Sequence, residues 1–96
     1  MATILAGKTT VTTAGTGVVL GSAVVNGALT VKALLANTNN IYVGGATVDK
    51  TAKNGFELDA GEVVVFEFVG SLADIWIDAD TNGEGVSYCA LSGPVQ

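Results

Sequence analysis

The sequence predicts an all-β fold, an antiparallel β-sandwich of about seven or eight strands for which a jelly roll is one candidate topology. Apolar residues, many of them β-branched, occur in short runs that lack the spacing of an amphipathic helix. Asn, Asp and Gly interrupt these runs at intervals of roughly 8 to 12 residues, as turns between short strands do. These observations together favour a sandwich or barrel over any helical fold.

Eight segments have the residue pattern of strands. They are residues 3–13, 17–25, 29–36, 41–43, 56–58, 62–69, 74–79 and 86–91. Asn26-Gly27 predicts a tight turn after the second segment, residues 37–40 predict a hairpin-like return, and Asn82-Gly83 predicts a C-terminal hairpin. Residues 1–16, at the start of the chain, are expected to form an edge strand or a docking arm.

Two of these segments indicate how the sheets are covered. In residues 62–69 both faces are largely apolar, which is typical of a strand that is central or covered on both sides. Residues 74–79 alternate instead, and the alternation places Ile75, Ile77 and Ala79 toward the core. The same alternation places Asp74, Trp76 and Asp78 on the outward face.

Composition bounds the size of the domain and its partners. The 96 residues form one domain, and 49% of them are hydrophobic while 14% are charged. A small domain with so few charges is expected to bury part of its surface against other copies of itself or against other proteins. No apolar run approaches the about 18 residues that a membrane-spanning helix requires, so no membrane partner is expected.

The charge pattern disfavours nucleic acid as a partner. Four lysines and no arginine oppose nine carboxylates, which gives a net charge of −5. The N-terminus lacks the basic region and the long apolar stretch of a signal peptide, and the single cysteine has no intramolecular partner. Synthesis in a reducing cytoplasm is therefore expected.

The residues that most catalytic sites need are missing. The chain has no histidine for general acid–base catalysis and no arginine to hold an anionic substrate. Cys89 falls in an alternating strand, where a free cysteine is typically a small core residue. We therefore expect no catalytic residue, no cofactor and no enzymatic activity.

One motif has the spacing of a metal site. Asp78, Asp80 and Asn82 followed by Gly83 match the opening of a calcium loop, in which alternate oxygen ligands converge on one cation. The match fails at the twelfth position, where Cys89 replaces the bidentate glutamate. A β-hairpin turn at Asn82-Gly83 is the favoured interpretation, with the calcium site as the alternative.

The interface candidates are Trp76, Asp74, Tyr42 and Val11. Trp76 is the only tryptophan, and an exposed tryptophan is typical of protein interfaces and of sugar-binding platforms. A loop of the same chain that covers this residue is the alternative to an interface. The chain has few aromatic residues for a sugar platform, which makes carbohydrate binding the weaker hypothesis.

Three segments of the chain resemble small virion proteins of tailed bacteriophages. They are residues 29–44 (LTVKALLANTNNIYVG), residues 55–62 (GFELDAGE) and residues 75–79 (IWIDA). In the resembling proteins a strand that ends in Ala-Asn-x-x-x-Ile/Val-Tyr-Val-Gly precedes a Leu-x-x-Gly-Glu turn. The resemblance covers roughly residues 29 to 88 and supplies no catalytic residues.

The resemblance implies a β-sandwich or jelly-roll-like module that binds and stabilises a phage head as a decoration, or cement, protein. The expected partners are the major capsid protein and further copies of the chain, with a homotrimer as the expected assembly and the capsid surface of the virion as its location. Multivalent attachment of that kind raises avidity without strong single contacts. A fibre-base or tail component and a carbohydrate-adhesive module are the alternatives.

Overall fold

Eight strands and one short 3-10 helix make up the regular structure of residues 3–92, which are the residues that the computed structural model describes. The strands are β1 (Thr3–Thr10), β2 (Val18–Val19), β3 (Val24–Ala33), β4 (Ile41–Gly44), β5 (Phe56–Leu58), β6 (Val63–Ser71), β7 (Trp76–Ala79) and β8 (Gly85–Ser92). The 3-10 helix, Leu72–Asp74, lies between β6 and β7, and the Ser71 side chain accepts a hydrogen bond from the Ala73 N–H at its start.

The strands form two four-stranded antiparallel sheets. Sheet A has the order β1-β8-β3-β6 and sheet B has the order β2-β7-β4-β5. The partners are nested, since β1 pairs with β8, β2 with β7, β3 with β6 and β4 with β5. This nesting is the topology of a jelly roll. The all-β sandwich expected from the sequence is confirmed.

The core lies between the two sheets and is built from one face of each strand. Period-two alternation turns every second side chain inward. Ile75, Ile77 and Ala79 are buried in this core, as their alternation predicts. The other fully buried apolar side chains that meet there include Val11, Val25, Leu29, Val31, Ala33, Ile41, Val43 and Val86.

The two hairpins expected from turn signals are wrong. β3 and β4 lie in different sheets, and so do β7 and β8, because nested pairing sends successive strands across the sandwich. The turn after Thr81 is closed by the Glu84 N–H, which donates to the Thr81 carbonyl at 3.4 Å. Gly83 has a φ of 85°, whereas Asn82 is not among the described residues with positive φ, so the turn is not of type I′.

The turn expected at Asn26-Gly27 is also wrong. β3 runs through both residues, and its register with β6 shifts on either side of Gly27. Asn26 adopts a φ of 54°, a conformation that Asn tolerates better than most residues. The signal therefore marks a β-bulge within a long strand rather than the end of one.

β6 is an edge strand of sheet A, which corrects the expectation that it is central or covered on both sides. One of its faces contributes Val64 and Phe66 to the core, as the pattern indicates. The opposite face leaves Val63 and Val65 exposed. The apolar pattern alone does not distinguish cover by the same chain from cover by another molecule.

Side chains of the crossing segments fix the positions where the chain changes sheet. The Asn37 side chain donates to the Gly85 carbonyl at 2.8 Å and accepts from the Gly85 N–H at 3.2 Å. The Glu84 carboxylate accepts from the Thr38 N–H at 2.6 Å, from the Thr38 hydroxyl at 2.8 Å and from the Asn39 N–H at 3.2 Å. These bonds tie residues 37–39 to the start of β8.

Glu84→Gln is expected to lower the free energy of unfolding by about 1 kcal/mol at pH 7, because an amide provides one acceptor oxygen where the carboxylate provides two. Burial alone raises the pKa of Glu84, but the hydrogen bonds from Thr38 and Asn39 outweigh it and hold the pKa below its ordinary value. A lowered folded-state pKa stabilises the protein above the ordinary pKa of glutamate, and this contribution is lost as the pH falls below about 4.

The difference between wild type and Glu84→Gln should therefore shrink as the pH falls from 7 to 3, because protonation of the wild-type carboxyl removes the contribution of its charged form. Urea unfolding at pH 7 and pH 3 measures it. An equal difference at both pH values would contradict the role given to the charged form.

Gly85→Ala is expected to lower the free energy of unfolding by at least about 2 kcal/mol, because β1 and β8 approach closely at this residue. A Cβ on Gly85 would overlap the Thr9 carbonyl oxygen and lie 2.8 Å from the Thr10 Cα, both of them backbone atoms with no room to move. Gly45→Ala is the matched control, since a Cβ there has no heavy atom within 4 Å. Equal melting temperatures for the two variants would contradict this packing.

Candidate functional site

The outward face of sheet B is covered by loops of the same chain. Tyr42 on β4 and Asp78 on β7 point outward but are both 0% exposed. Asp78 accepts hydrogen bonds from the Gly15 N–H at 2.9 Å, the Lys50 N–H at 2.9 Å and the Ala79 N–H at 2.8 Å. One buried carboxylate thereby holds the loop between β1 and β2 and the loop between β4 and β5 against the sheet.

The three candidate calcium ligands have separate partners in the structure. Asp78 is occupied by the backbone donors just described, and Asn82 Oδ1 accepts from the Ala14 N–H at 2.7 Å. Asp80 accepts from the Tyr42 hydroxyl at 3.2 Å. Within residues 3–92, no group of three or more His, Cys, Asp or Glu side chains is placed to hold a metal ion. In this structure the side chains of the motif hold neighbouring segments in place through hydrogen bonds.

Tyr42 is the centre of a polar cluster on the same face. Its hydroxyl accepts from Lys53 Nζ at 3.2 Å and lies 3.4 Å from Glu57 Oε2. Lys53 Nζ is 3.9 Å from Glu57 Oε2 and 5.6 Å from the centre of the Tyr42 ring. Burial raises the pKa of Tyr42, the hydrogen bond from Lys53 opposes this rise, and the nearby charge of Asp80 adds to it. The tyrosine thus stays neutral and structural.

The structure changes the list of interface candidates. Val11 and Tyr42 are fully buried within the chain and offer no surface to a partner, which corrects their choice. Trp76 is half-buried, and a Cβ on Gly17 would lie 3.6 Å from its Cε3 atom, so the segment before β2 covers part of the ring. Asp74, in the 3-10 helix, is exposed.

The outward face of sheet A is not covered by any segment of residues 3–92. Its side chains come from alternate positions of four strands: Ile4, Ala6 and Lys8 on β1, Ser87, Cys89 and Leu91 on β8, Thr30 and Lys32 on β3, and Val63, Val65 and Glu67 on β6. Four of them are large apolar residues with high exposure: Ile4 (61%), Val65 (59%), Val63 (49%) and Leu91 (44%). This set of residues is termed the open face.

The register aligns the open face into rows across the sheet. One row runs from Ala6 through Cys89 and Thr30 to Val65. The row beside it has Lys8, Ser87, Lys32 and Val63 in the same strand order. A shallow recess of about 220 Å³ lies in the middle of these rows, and its lining includes Lys32, Ser87 and Cys89. Large apolar side chains that are exposed together on one face of a sheet typically mark a protein interface.

Charge also distinguishes the open face from the rest of the molecule. Two of the four lysines, Lys8 and Lys32, belong to it, and Glu67 is the only carboxylate on the strands of sheet A. The remaining carboxylates lie on sheet B, in the 3-10 helix and in the loops. The open face is therefore weakly basic on an acidic protein.

Cys89 lies in the open face, exposed and without a disulfide, which corrects its expected place in the core. Alternation in β8 starts from the buried Val86, and this phase sends Cys89 to the outward side. Residues 86–91 have apolar side chains at both odd and even positions, so the sequence alone does not show which of them face the core. The thiol stands between Ala6 and Thr30 near the centre of the face.

An apolar cleft opens beside the open face, between the edge strands β5 and β6. It has a volume of about 270 Å³ and is lined by Val43, Gly44, Gly55, Phe56 and Phe66. Its walls provide no charged side chain, so it has no group to orient a polar substrate. It fits the role of an apolar recess within an interface.

Comparison with known proteins gives no relative. No protein-family model, no curated protein and no solved structure matches the chain. No helix within residues 3–92 has the length and apolar character to cross a bilayer. The candidate site therefore rests on the geometry of the open face.

The residues of the open face were not among the sequence-based candidates. One signal pointed to them: residues 62–69 are apolar on both faces, so the outward side of this strand needs a cover. The covering molecule is not within the described part of the chain, because Val63 and Val65 stay exposed.

Asp78→Asn is expected to lower the free energy of unfolding by roughly 2 kcal/mol, because the amide NH₂ would face a backbone N–H that needs an acceptor. Chemical denaturation measures the loss. Asp74→Asn is the matched control, since that carboxylate is exposed, and it should change stability by less than about 0.5 kcal/mol. Equal effects of the two substitutions would contradict the role of Asp78 in holding the two loops against sheet B.

Proposed function

We propose that this chain is a structural protein of a tailed-bacteriophage particle that docks on the capsid as a decoration protein, with the open face as its contact surface. The observation that carries this proposal is the unequal cover of the two sheets. Loops held by Asp78 close the outside of sheet B, whereas sheet A presents Ile4, Val63, Val65 and Leu91 to solvent.

The apolar character of the open face supports a protein partner. Covering apolar surface contributes about 25 cal/mol for each Å² removed from water, and a four-stranded face lets this gain accumulate over many small contacts. Trp76, one of the interface candidates from the sequence, is half-buried beneath the chain's own residues. Docking through sheet A leaves that tryptophan and the covered side of sheet B turned away from the partner.

The charges support a partner of complementary sign. Lys8 and Lys32 lie in one row of the open face, separated by Ser87. An acidic, apolar capsid surface would pair with these two ammonium groups and would be repelled by the carboxylate-rich remainder of the chain. Charge thus selects the docking orientation, and nucleic acid is not part of the proposal because the net charge is −5.

The fold and the resemblance of residues 29–44, 55–62 and 75–79 to small virion proteins point in the same direction. Jelly rolls occur in viral capsid domains, although they also occur in lectins, so the fold by itself assigns no function. Decoration acts by linkage: a protein that binds the assembled shell better than its free subunits stabilises the shell. The proposal includes synthesis in the host cytoplasm, location on the capsid surface and no catalytic activity.

A carbohydrate-adhesive function and a tail or fibre-base function have less support. The sugar-platform hypothesis was based on Trp76, and the ring of this tryptophan is partly covered by the segment before β2. A tail location would use the same open face on a different partner. Binding to isolated heads compared with isolated tails separates these two locations.

Docking on heads should protect the Cys89 thiol from modification, because it is the only cysteine and lies near the centre of the open face. The probe is a set of undecorated, expanded head shells of the phage whose genome encodes the chain. Maleimide labelling of the free protein should be rapid, and labelling in the presence of excess shells should slow by about tenfold or more. Unchanged labelling of protein that co-sediments with shells would place the contact elsewhere.

Substitution provides the second arm of this test. Cys89→Glu puts a carboxylate at the centre of the open face and should weaken co-sedimentation by about tenfold or more. Ala46→Glu adds the same charge to an exposed loop residue next to sheet B and should leave binding unchanged. Wild-type protein that binds tails but not heads, or neither, would overturn the capsid assignment.

A further inference from the structure

No strand within residues 3–92 pairs with the outer side of the edge strand β6. In an antiparallel ladder, successive residues point their N–H and C=O groups alternately toward one neighbour and toward the other. The Ala33 N–H donates to the Glu62 carbonyl at 2.9 Å, so Glu62 faces β3 and the same phase turns Val64 and Phe66 toward β3. Val63 and Val65 consequently direct their backbone groups to the open edge, and Glu67 follows them at the point where the register with β3 shifts.

We propose that two copies of this chain join through their β6 strands, antiparallel and across a two-fold axis at Val65, to form one continuous eight-stranded sheet. The second copy is the occupant because this stretch of β6 is complementary to itself. With Val65 facing Val65 of the second copy, Val63 faces Glu67 in both directions. This register pairs Val65 with its counterpart through two hydrogen bonds at the axis and sets the free N–H and C=O groups of Val63 opposite Glu67 of the second copy.

The side chains agree with this register on both faces of the joined sheet. On the core side, Val64 lies opposite Phe66 of the second copy, an aromatic and β-branched pair of the kind that stabilises neighbouring strands. Both residues already pack against the core of their own chain. The apolar cleft that Phe66 shares with Phe56 lies next to this row, so the second copy covers apolar surface there as well.

Opposite charges on the outward side of the joined sheet favour this register. Lys32 is directly across from Val63 within the chain. In the joined sheet the next residue along that row is Glu67 of the second copy. Lys32 and that glutamate are then about 9 to 10 Å apart at Cα, which two long side chains span above Val63. The two-fold axis produces this ion pair twice.

The opposite edge of sheet A is a poorer site for self-pairing. β1 carries Lys8 on its outward face and no carboxylate, so two β1 strands would bring no opposite charges together. A lysine on an edge strand is a common device that discourages edge-to-edge association. Pairing through β6 alone gives a closed dimer, since each copy has one β6 edge and the two-fold axis uses both. Two copies then take the place of the homotrimer expected from the sequence.

Sedimentation equilibrium of the purified full chain tests the dimer, and the expected mass is that of two chains. Val65→Pro removes the central N–H from the free edge without removing a bond to β3, so the monomer should still fold while the dimer dissociation constant rises at least tenfold. Ala6→Pro is the matched control on the edge of β1, where the even-numbered residues direct their backbone groups away from β8. The Ala6→Pro variant should remain a dimer. Circular dichroism melting verifies that both variants are folded.

A charge exchange tests the register. Glu67→Lys should weaken the dimer, because the introduced ammonium group would lie near that of Lys32 in the other copy. The double variant with Lys32→Glu should restore the dimer. A wild-type monomer at the highest soluble concentration, a trimeric mass, or a Val65→Pro variant that remains dimeric would each overturn the proposal. Capsid binding is scored separately through Cys89, so loss of the dimer and loss of docking are distinguishable.

Discussion

The hydrogen bonds that Asp78 accepts decide which side of the sandwich meets the solvent. A buried carboxylate is tolerated only when its oxygens are satisfied, and here the donors are the backbone N–H groups of Gly15, Lys50 and Ala79. Two loops are thereby held over sheet B. Among residues 3–92, the outward side of sheet A has no buried carboxylate comparable to Asp78. The asymmetry of the molecule follows from this difference in anchoring.

The fold class could be predicted because it depends on local patterns. Short alternating runs such as residues 74–79 fix strand identity and the inward phase of Ile75 and Ile77. The pairing of those strands depends on distant residues, and turn signals gave the wrong answer at Asn26-Gly27 and at Asn82-Gly83. The positive φ of Gly83 suits a turn that connects two sheets as well as a hairpin turn. Asn26 adopts at a β-bulge the same left-handed backbone conformation that a turn would require.

The open face was harder to predict than the core. Apolar residues on both sides of β6 show that two surfaces need cover, but the sequence does not say which molecule provides it. Val11 and Tyr42, which the sequence suggests as interface residues, are both fully buried within the chain. Whether an outward side chain meets solvent depends on loops whose path is set by bonds such as those of Asp78. Sequence periodicity contains no information about that path.

Nested pairing has a consequence for how the chain acquires its structure during synthesis. β8, the last strand, lies in sheet A between β1 and β3, which are both made long before it. Until β8 has been made, β1 has no neighbour in the sheet and β3 lacks the partner strand on one of its two edges. The nascent polypeptide therefore carries β1 unpaired until then, and sheet A is completed in one late step. A truncation that removes β8 would leave a product prone to aggregate rather than a smaller stable domain.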